Sequence, residues 1–327
     1  MQRTFVLGPY SLPSRVLTAG TRAGLAVANA LEAGHDGVER LPDLAYGAGA
    51  RHRLDAYRPR AVRAPCARIE VPGDPEPTGR RARPVVVFLH GGNWTYFGKD
   101  DFRYVGHAFA ERGVVAVVPS YRCYPDADVD DQLLDAARAV AWTRRHAHEL
   151  GADPARVHVI GHSSGAHVAA LLALDGRRLA RVGGTREWLA GFVGLNGPYW
   201  FATDANPHMR RFFGAPERHA DALPVRFASA GAPRTLLVHG AADRMVRPRN
   251  SRELARRLAR AGADVTLRLV PGDGHGTVLE RWIRSRRQAD PVLDTVAAFV
   301  AGARPPDLSR NAAPAIMPSH PLLGTNR

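Results

Sequence analysis

Gly161-His162-Ser163-Ser164-Gly165 is the segment of the sequence best suited to carry chemistry, because glycines flank a central serine on both sides. It follows an apolar run at residues 157–160 and leads into a small, apolar helical run at residues 166–174. A sharp turn from strand to helix would raise the Ser163 hydroxyl above a sheet and direct the helix N-terminus at it. Ser163 is therefore the candidate nucleophile, and the glycine spacing disfavours Ser164. A tight turn with a capping serine is the alternative reading.

A second glycine-containing segment, His90-Gly91-Gly92-Asn93-Trp94, follows an apolar run at residues 85–89. Glycines that follow a strand leave backbone N–H groups free to face a bound oxygen. Acyl transfer needs such donors, because negative charge develops on the carbonyl oxygen of the tetrahedral intermediate. We expect the amides of Gly92, Asn93 and Ser164 to form this oxyanion hole. A plain glycine turn is the alternative.

A serine nucleophile also needs a base and an acid, and candidates for both occur later in the chain. Asp243 lies in a loop after the apolar run at residues 235–238, and His275 lies on a glycine-rich turn before a helical pattern. We expect His275 to accept the Ser163 proton and Asp243 to orient the imidazole. Asp273 is a rival acid, but its place inside the turn that carries His275 favours a structural role.

These residues need a sheet to position them, and the apolar runs of the sequence supply its strands. The runs are continuous rather than alternating, as in parallel strands buried on both faces, and they cover residues 85–89, 114–118, 157–160, 192–195, 235–238 and 265–270. Helical patterns alternate with them, at residues 131–150, 165–174, 251–261 and 291–301. The alternation predicts a doubly wound α/β fold with a mostly parallel central sheet and helices on both faces.

The sequence divides into three parts around this predicted sheet. Residues 1–49 precede the first predicted strand, and we expect them to form an N-terminal helical segment that caps the site. Residues 50–302 form the predicted catalytic domain, in which a proline-rich stretch at residues 72–84 reads as a loop between two early strands. Residues 303–327 are rich in proline and lack periodicity, which predicts a disordered tail.

The composition excludes several classes of protein. Of the 327 residues, 45% are hydrophobic and 23% are charged, which excludes a wholly disordered, collagen-like or coiled-coil chain. Two cysteines, Cys66 and Cys123, are too few for a disulfide scaffold or a cysteine-rich zinc domain. The sequence lacks an uninterrupted apolar stretch of about 18 residues, the length of a spanning helix. The first residues do not match a signal peptide, so we expect a cytoplasmic protein.

The net charge of +14 raises the question of a nucleic-acid partner. The arginines are spread along the chain, however, and neither of the densest basic runs is interleaved with aromatic residues. Nucleic-acid readers that act on single strands combine basic and aromatic side chains. We therefore expect a solvated basic surface and no nucleic-acid partner.

Taken together, these segments resemble those of the α/β-hydrolase carboxylesterases, near the hormone-sensitive-lipase-like and feruloyl-esterase-like (BD-FAE) branches. The resemblance runs from about residue 54 to residue 300 and includes the chain order Ser163, Asp243, His275, which is that of α/β-hydrolases. It also includes Leu54-Asp55-Ala56-Tyr57-Arg58-Pro59, the HGG-x-W segment at His90, and Tyr121-Arg122-Cys123-Tyr124-Pro125. The HGG-x-W segment is similar to that of kynurenine formamidases and isoprenylcysteine methylesterases as well.

The resemblance implies an α/β-hydrolase fold and the hydrolysis of small to medium carboxylic esters through an acyl-enzyme, without a cofactor or metal. A small-molecule ester is the expected partner, and the oligomeric state is left open. We take Trp94, Tyr199 and Trp200 as candidate substrate-binding residues. Two alternatives stay open: an arylformamidase with the same three catalytic residues, and a non-catalytic ligand-binding protein on a hydrolase scaffold. The complete Ser/Asp/His set argues against the second.

Overall fold

A computed structural model describes residues 14–32, 36–60 and 82–304, with side chains from residue 21 onward. Its strands are β1 (Val38–Ala45), β2 (Arg53–Pro59), β3 (Arg83–Leu89), β4 (Val115–Pro119), β5 (Ala152–His162), β6 (Gly191–Leu195), β7 (Thr235–Gly240) and β8 (Val265–Val270). Its α-helices are α1 (Ser14–Ala30), α2 (Arg103–Glu111), α3 (Val129–Arg145), α4 (Ser164–Leu174), α5 (Gly176–Ala180), α6 (Pro207–Phe213), α7 (Arg249–Arg260), α8 (Thr277–Glu280) and α9 (Pro291–Val300).

The strands form one sheet in the order β1-β2-β4-β3-β5-β6-β7-β8. β1 and β2 pair antiparallel with each other, β2 pairs antiparallel with β4, and every pair from β4 to β8 is parallel. Apolar side chains of α3, α4 and α7 pack on one face, and those of α2 and α9 pack on the other. The predicted α/β-hydrolase fold, with helices on both faces of a mostly parallel sheet, is confirmed.

The six apolar runs of the sequence all lie in strands, because helices cover both faces of the central strands and leave no solvent side for polar residues. The four predicted helices correspond to α3, α4, α7 and α9. The sequence analysis missed α2, which lies between β3 and β4. The predicted tail lies outside the described residues from position 305 onward, as does most of the proline-rich stretch.

The expectation that residues 1–49 form only a helical cap is wrong, because β1 is a strand of the main sheet. The boundary drawn at residue 49 cuts between β1 and β2, which are neighbours in the sheet. β1 was missed because it lies at the sheet edge and lacks a continuous apolar run. Its pairing with β2 also shifts between Leu41 and Leu44, around Asp43 with a φ of +57°. Such a bulge interrupts the period of two residues that identifies a strand.

α1 contacts the segment that leads from β3 to α2. The Asn29 amide donates to the Asp100 carbonyl over 2.7 Å, and its oxygen accepts from the Tyr104 amide over 3.2 Å. The Arg22 guanidinium lies 5.9 Å from the centre of the Phe97 ring. The helix therefore lies beside the chain that follows the His90–Trp94 segment. Within the described residues, no helix has both the length and the hydrophobicity to cross a bilayer.

A buried ion cluster fixes the chain just after the end of α1. The Arg287 side chain is only 1% exposed, and its Nη2 lies 2.9 Å from Glu32 Oε2. Its Nε lies 2.7 Å from Glu111 Oε2 at the end of α2. Arg287 thus joins the N-terminal segment, α2 and the chain before α9 at one point.

We expect Arg287→Met to lower the free energy of unfolding by about 3–5 kcal/mol, because it leaves the Glu32 carboxylate buried without its guanidinium partner. Urea unfolding followed by circular dichroism measures the change. The double variant Glu32→Leu/Arg287→Met should recover much of the loss, since it removes both charges. Arg286→Met, which removes an exposed guanidinium, is the control. Equal stability of Arg287→Met and Arg286→Met would contradict a stabilising role for the cluster.

Candidate active site

Ser163 stands alone between β5 and α4, in a backbone conformation that few residues adopt. β5 ends at His162, α4 begins at Ser164, and Ser163 has φ +54° and ψ −124°. A non-glycine residue with these angles is strained and persists only where its surroundings hold it. The Ser163 amide donates to the Leu195 carbonyl of β6 over 2.9 Å, which fixes the turn to the sheet.

The two glycines of this turn are required because backbone segments touch there. A Cβ atom on Gly165 would lie 2.1 Å from the Leu89 carbonyl oxygen and 2.3 Å from that of His90. A Cβ atom on Gly161 would lie 2.3 Å from the Gly165 carbonyl oxygen. A side chain at Gly165 would push α4 away from the end of β3, and one at Gly161 would push α4 away from β5. The glycine spacing therefore reflects close packing as well as the turn itself.

We expect Gly165→Ala to destabilise the fold by about 1–3 kcal/mol, the range for overpacking a close-packed site, and to reduce catalytic activity as Ser163 shifts. Gly24→Ala is the matched control, because a Cβ on Gly24 in α1 would meet nothing within 4 Å. The control should be neutral or stabilise α1 by up to about 1 kcal/mol. Thermal unfolding of both variants compares them, and similar melting temperatures would contradict the packing argument.

The structure brings Ser163, His275 and Asp243 together in one hydrogen-bonded chain. His275 Nε2 lies 2.8 Å from Ser163 Oγ, and His275 Nδ1 lies 2.7 Å from Asp243 Oδ2. Because a carboxylate only accepts hydrogen bonds, the imidazole proton is on Nδ1 and the Nε2 lone pair faces the serine hydroxyl. This tautomer is the one that can accept a proton from Ser163.

The Asp243 carboxylate is held by donors on both of its oxygens. Oδ1 accepts from the amides of Met245 and Val246, each over 2.9 Å, and Oδ2 also lies 3.4 Å from His239 Nε2. Burial acts to raise the pKa of Asp243, but the hydrogen bonds of His239 and His275 outweigh it and hold this pKa below its ordinary value. Asp243 is therefore ionised wherever the rest of the protein is folded near neutral pH.

Asp273, the rival acid, is occupied elsewhere. Arg281 Nε lies 3.0 Å from Asp273 Oδ2, and Arg281 Nη2 lies 2.8 Å from Asp273 Oδ1. This two-pronged pair leaves Asp273 away from the imidazole, although it is closer to His275 in the sequence. The geometry supports Asp243 as the residue that orients His275.

We expect Asp243→Asn to lower kcat by about 10⁴-fold, because an amide at this position favours the imidazole tautomer that cannot accept the serine proton. Asp273→Asn should reduce kcat far less, since it weakens only the pair with Arg281. Hydrolysis of p-nitrophenyl acetate, measured on variants shown to be folded by circular dichroism, tests both. A larger loss in Asp273→Asn than in Asp243→Asn would contradict the assignment.

The segment after β3 passes beside Ser163, because a Cβ on Gly91 would lie 3.1 Å from Ser163 Cβ. Gly92 has a φ of +122°, and Asn93 and Trp94 follow with φ of +54° and +60°. A Cβ on Gly92 would lie 2.4 Å from the Tyr96 carbonyl oxygen, so only glycine fits. In the part of the chain that the structure describes, the amides of Gly92, Asn93 and Ser164 donate to no carbonyl or side chain. Three unused donors on segments that adjoin Ser163 could bind an anionic oxygen.

Trp94, a predicted substrate contact, is a core residue, which corrects that expectation. Its ring is 3% exposed, and its Nε1 donates to His167 Nδ1 over 3.3 Å. It also packs against Phe212 and Phe213 of α6, with ring centres 5.5 and 5.3 Å away. The Trp94 side chain anchors the strained segment instead of facing a substrate.

Tyr199 is also wrong as a substrate contact, because its side chain is fully buried. Its hydroxyl occupies the space above two residues without side chains, since a Cβ on Gly194 or Gly197 would lie 1.9 or 2.3 Å from it. Trp200 is 42% exposed and remains a candidate. The Asn250 side chain accepts hydrogen bonds from the amides of both Tyr199 and Trp200, which ties this loop to the start of α7.

The sequence analysis missed two further residues that contact the triad, His162 and Asn196. His162 adjoins the nucleophile, and Asn196 follows directly after β6, where the ends of the parallel strands converge. A polar residue immediately after a buried strand is a signal that could have identified Asn196. Among the residues the structure describes, no three His, Cys, Asp or Glu side chains gather as a metal site.

The chain is similar to a family model and to several known esterases. The BD-FAE family model matches residues 75–184. Esterase LipQ of Mycobacterium tuberculosis is 31% identical over 295 residues, which are 84% of this chain and 66% of LipQ. "Probable isoprenylcysteine alpha-carbonyl methylesterase ICMEL2" of Arabidopsis thaliana is 27% identical over 253 residues, 71% of this chain and 56% of that protein.

The chain belongs to the α/β-hydrolase carboxylesterase family. It spans 56% to 66% of the length of these two relatives. A solved structure of Thermogutta terrifontis esterase 2, phosphoramylated by tabun, superposes with a TM-score of 0.61 at 25% identity and covers 82% of this chain and 95% of that one. The resemblance to this family inferred from the sequence is therefore confirmed.

Proposed function

We propose that the protein hydrolyses carboxylic esters of small to medium size through an acyl-enzyme intermediate. The observation that carries the proposal is the continuous chain from Ser163 Oγ through His275 to Asp243, with hydrogen bonds of 2.8 and 2.7 Å. Membership of a family whose named relatives include esterases supports it. The proposal assigns the catalytic roles to Ser163, His275 and Asp243.

In the first half of this reaction, Ser163 Oγ attacks the ester carbonyl carbon while its proton passes to His275 Nε2. Negative charge then develops on the carbonyl oxygen, and we assign its stabilisation to the amides of Gly92, Asn93 and Ser164. The bond to the alcohol oxygen breaks as His275 returns the proton to that oxygen. The alcohol leaves and the acyl group stays on Ser163.

In the second half, His275 removes a proton from water, and the resulting hydroxide attacks the acyl carbon. Collapse of this second intermediate releases the carboxylic acid and returns the proton to Ser163. Asp243 remains ionised throughout and stabilises the imidazolium that forms twice in the cycle. Each step uses only groups of the chain, the ester and water.

We expect Ser163→Ala to lower kcat for p-nitrophenyl acetate by at least about 10³-fold, leaving only oxyanion-hole and binding effects. Ser164→Ala is the matched control, because it keeps the amide assigned to the oxyanion hole. Its loss should stay within about 10-fold, well below the effect of removing a nucleophile. A dead Ser164→Ala beside an active Ser163→Ala would overturn the choice of nucleophile.

A substrate panel of p-nitrophenyl esters with increasing acyl length, together with N-formylkynurenine, tests the class of reaction. Preferential cleavage of the esters is expected. Preferential cleavage of the formyl amide would identify the arylformamidase alternative. Tight binding without turnover of any compound would identify a ligand-binding protein.

Trp200 is retained as a candidate substrate contact, and Trp200→Ala should change KM for the longer esters more than kcat.

A further inference from the structure

The main-chain carbonyl of His275 accepts two hydrogen bonds from buried side chains. His162 Nε2 lies 2.9 Å from this oxygen, and Asn196 Nδ2 lies 3.0 Å from it. Asn196 Nδ2 also lies 2.9 Å from the Gly274 carbonyl oxygen. Three donor contacts therefore converge on two consecutive peptide groups at the catalytic imidazole.

The loop that carries His275 is rich in glycine and depends on contacts with its surroundings to hold one conformation. Its sequence, Pro271-Gly272-Asp273-Gly274-His275-Gly276, alternates glycine with other residues, and Gly272 has a φ of +76°. Glycine gives a chain the greatest backbone freedom. The two hydrogen bonds of the imidazole fix the rotation of the ring, but they cannot fix the main chain from which the ring extends.

Both donors come from strands next to the nucleophile. His162 is the last residue of β5 and directly precedes Ser163. Asn196 follows β6, is fully buried, and has a strained φ of +49°. Its side-chain oxygen accepts from the Gly240 amide at the end of β7, over 3.0 Å. Asn196 thus joins the strand that leads to Asp243 with the loop that carries His275.

The protonation states of these side chains suit the task. Burial, aided by the nearby His275, lowers the pKa of His162 to about 3, so its ring is neutral at neutral pH. Because Nε2 faces a carbonyl oxygen, which can only accept, the single proton of the neutral ring is on Nε2. A charged ring here would repel the imidazolium that forms on His275 during the proposed reaction.

We propose that His162 and Asn196 are positioning residues that hold His275 in line with Ser163 by donating hydrogen bonds to its main-chain carbonyl. The inference rests on the proposed function for its kinetic readout, but the hydrogen-bond geometry it explains does not depend on turnover. Neither side chain contacts the reacting atoms. Their loss should therefore affect the chemical step and leave substrate binding nearly unchanged.

The kinetic test compares His162→Leu, which removes the donor, with His162→Gln, whose amide nitrogen lies about as far from Cβ as histidine Nε2. We expect His162→Leu to lower kcat for p-nitrophenyl acetate by about 10²-fold, the scale of a misplaced catalytic group, with KM nearly unchanged. His162→Gln should restore most of the loss. His158→Gln is the control, because His158 is another buried histidine of β5 that bonds to the Arg156 carbonyl.

Asn196→Asp gives an independent arm if His162→Leu fails to fold. The aspartate keeps the acceptor for the Gly240 amide and replaces the donor with an oxygen that repels the His275 and Gly274 carbonyls. We expect a loss of kcat similar to that of His162→Leu. Unchanged kcat in folded Asn196→Asp, or equal impairment of His162→Leu and His162→Gln, would overturn the proposal.

A spectroscopic readout separates this inference from the proposed function. The proton shared by His275 Nδ1 and Asp243 gives a low-field ¹H NMR signal that does not require a substrate. The signal should broaden or vanish in His162→Leu and Asn196→Asp, and persist in His162→Gln. If the wild type cleaves no ester, the proposed function fails while this signal still decides the positioning role. A signal unaffected in both His162→Leu and Asn196→Asp would refute it.

Discussion

The contact between the start of α4 and the end of β3 is the constraint on which the rest of the site depends. Gly165 approaches the carbonyls of Leu89 and His90 so closely that no side-chain carbon fits between them. This contact places Ser163 beside the segment that follows β3. The imidazole and carboxylate arrive from the opposite side, on loops that follow β8 and β7. Ser163 therefore lies where two halves of the sheet meet, and each half supplies a different part of the proposed chemistry.

Sequence patterns predicted those parts of the molecule in which burial or backbone geometry restricts the residue types. Helices cover both faces of the central strands, so these strands appear in the sequence as continuous apolar runs. The turn at Ser163 requires glycine at positions 161 and 165, so the five residues 161–165 were enough to predict it. β1 was not predicted, because an edge strand with a bulge has neither a continuous apolar run nor a regular alternation of apolar and polar residues. The predictions that Trp94 and Tyr199 contact the substrate were wrong for another reason, since a sequence does not show towards which side an aromatic ring points.

Histidine illustrates the same division between what a sequence reveals and what only packing decides. The chain has 14 histidines, and four of those that the structure describes lie near Ser163 in different surroundings. Burial lowers the pKa of His90 to about 3 and that of His167 to about 4, and these rings stack on Tyr121 or bond to Trp94. Of these four, His275 alone reaches both Ser163 and a carboxylate. The loop position of His275 suggested this role, whereas the contacts of His162 depend on residues distant in the chain.

The buried pair of Glu32 and Arg287 has a consequence for how the chain reaches its final state. The two residues are separated by 255 positions, so the pair closes a loop that contains all eight strands of the sheet. Such long-range contacts form late, because the entropy of closing the intervening chain must be overcome first. During synthesis on the ribosome, Glu32 emerges long before its partner exists. α1 can dock on residues 97–104 soon after these are made, because its own contacts are with that segment. The ion pair just after α1 can form only when nearly all of the fold has been made, so this part of the chain is fixed at a late stage of assembly although it lies near the start of the sequence.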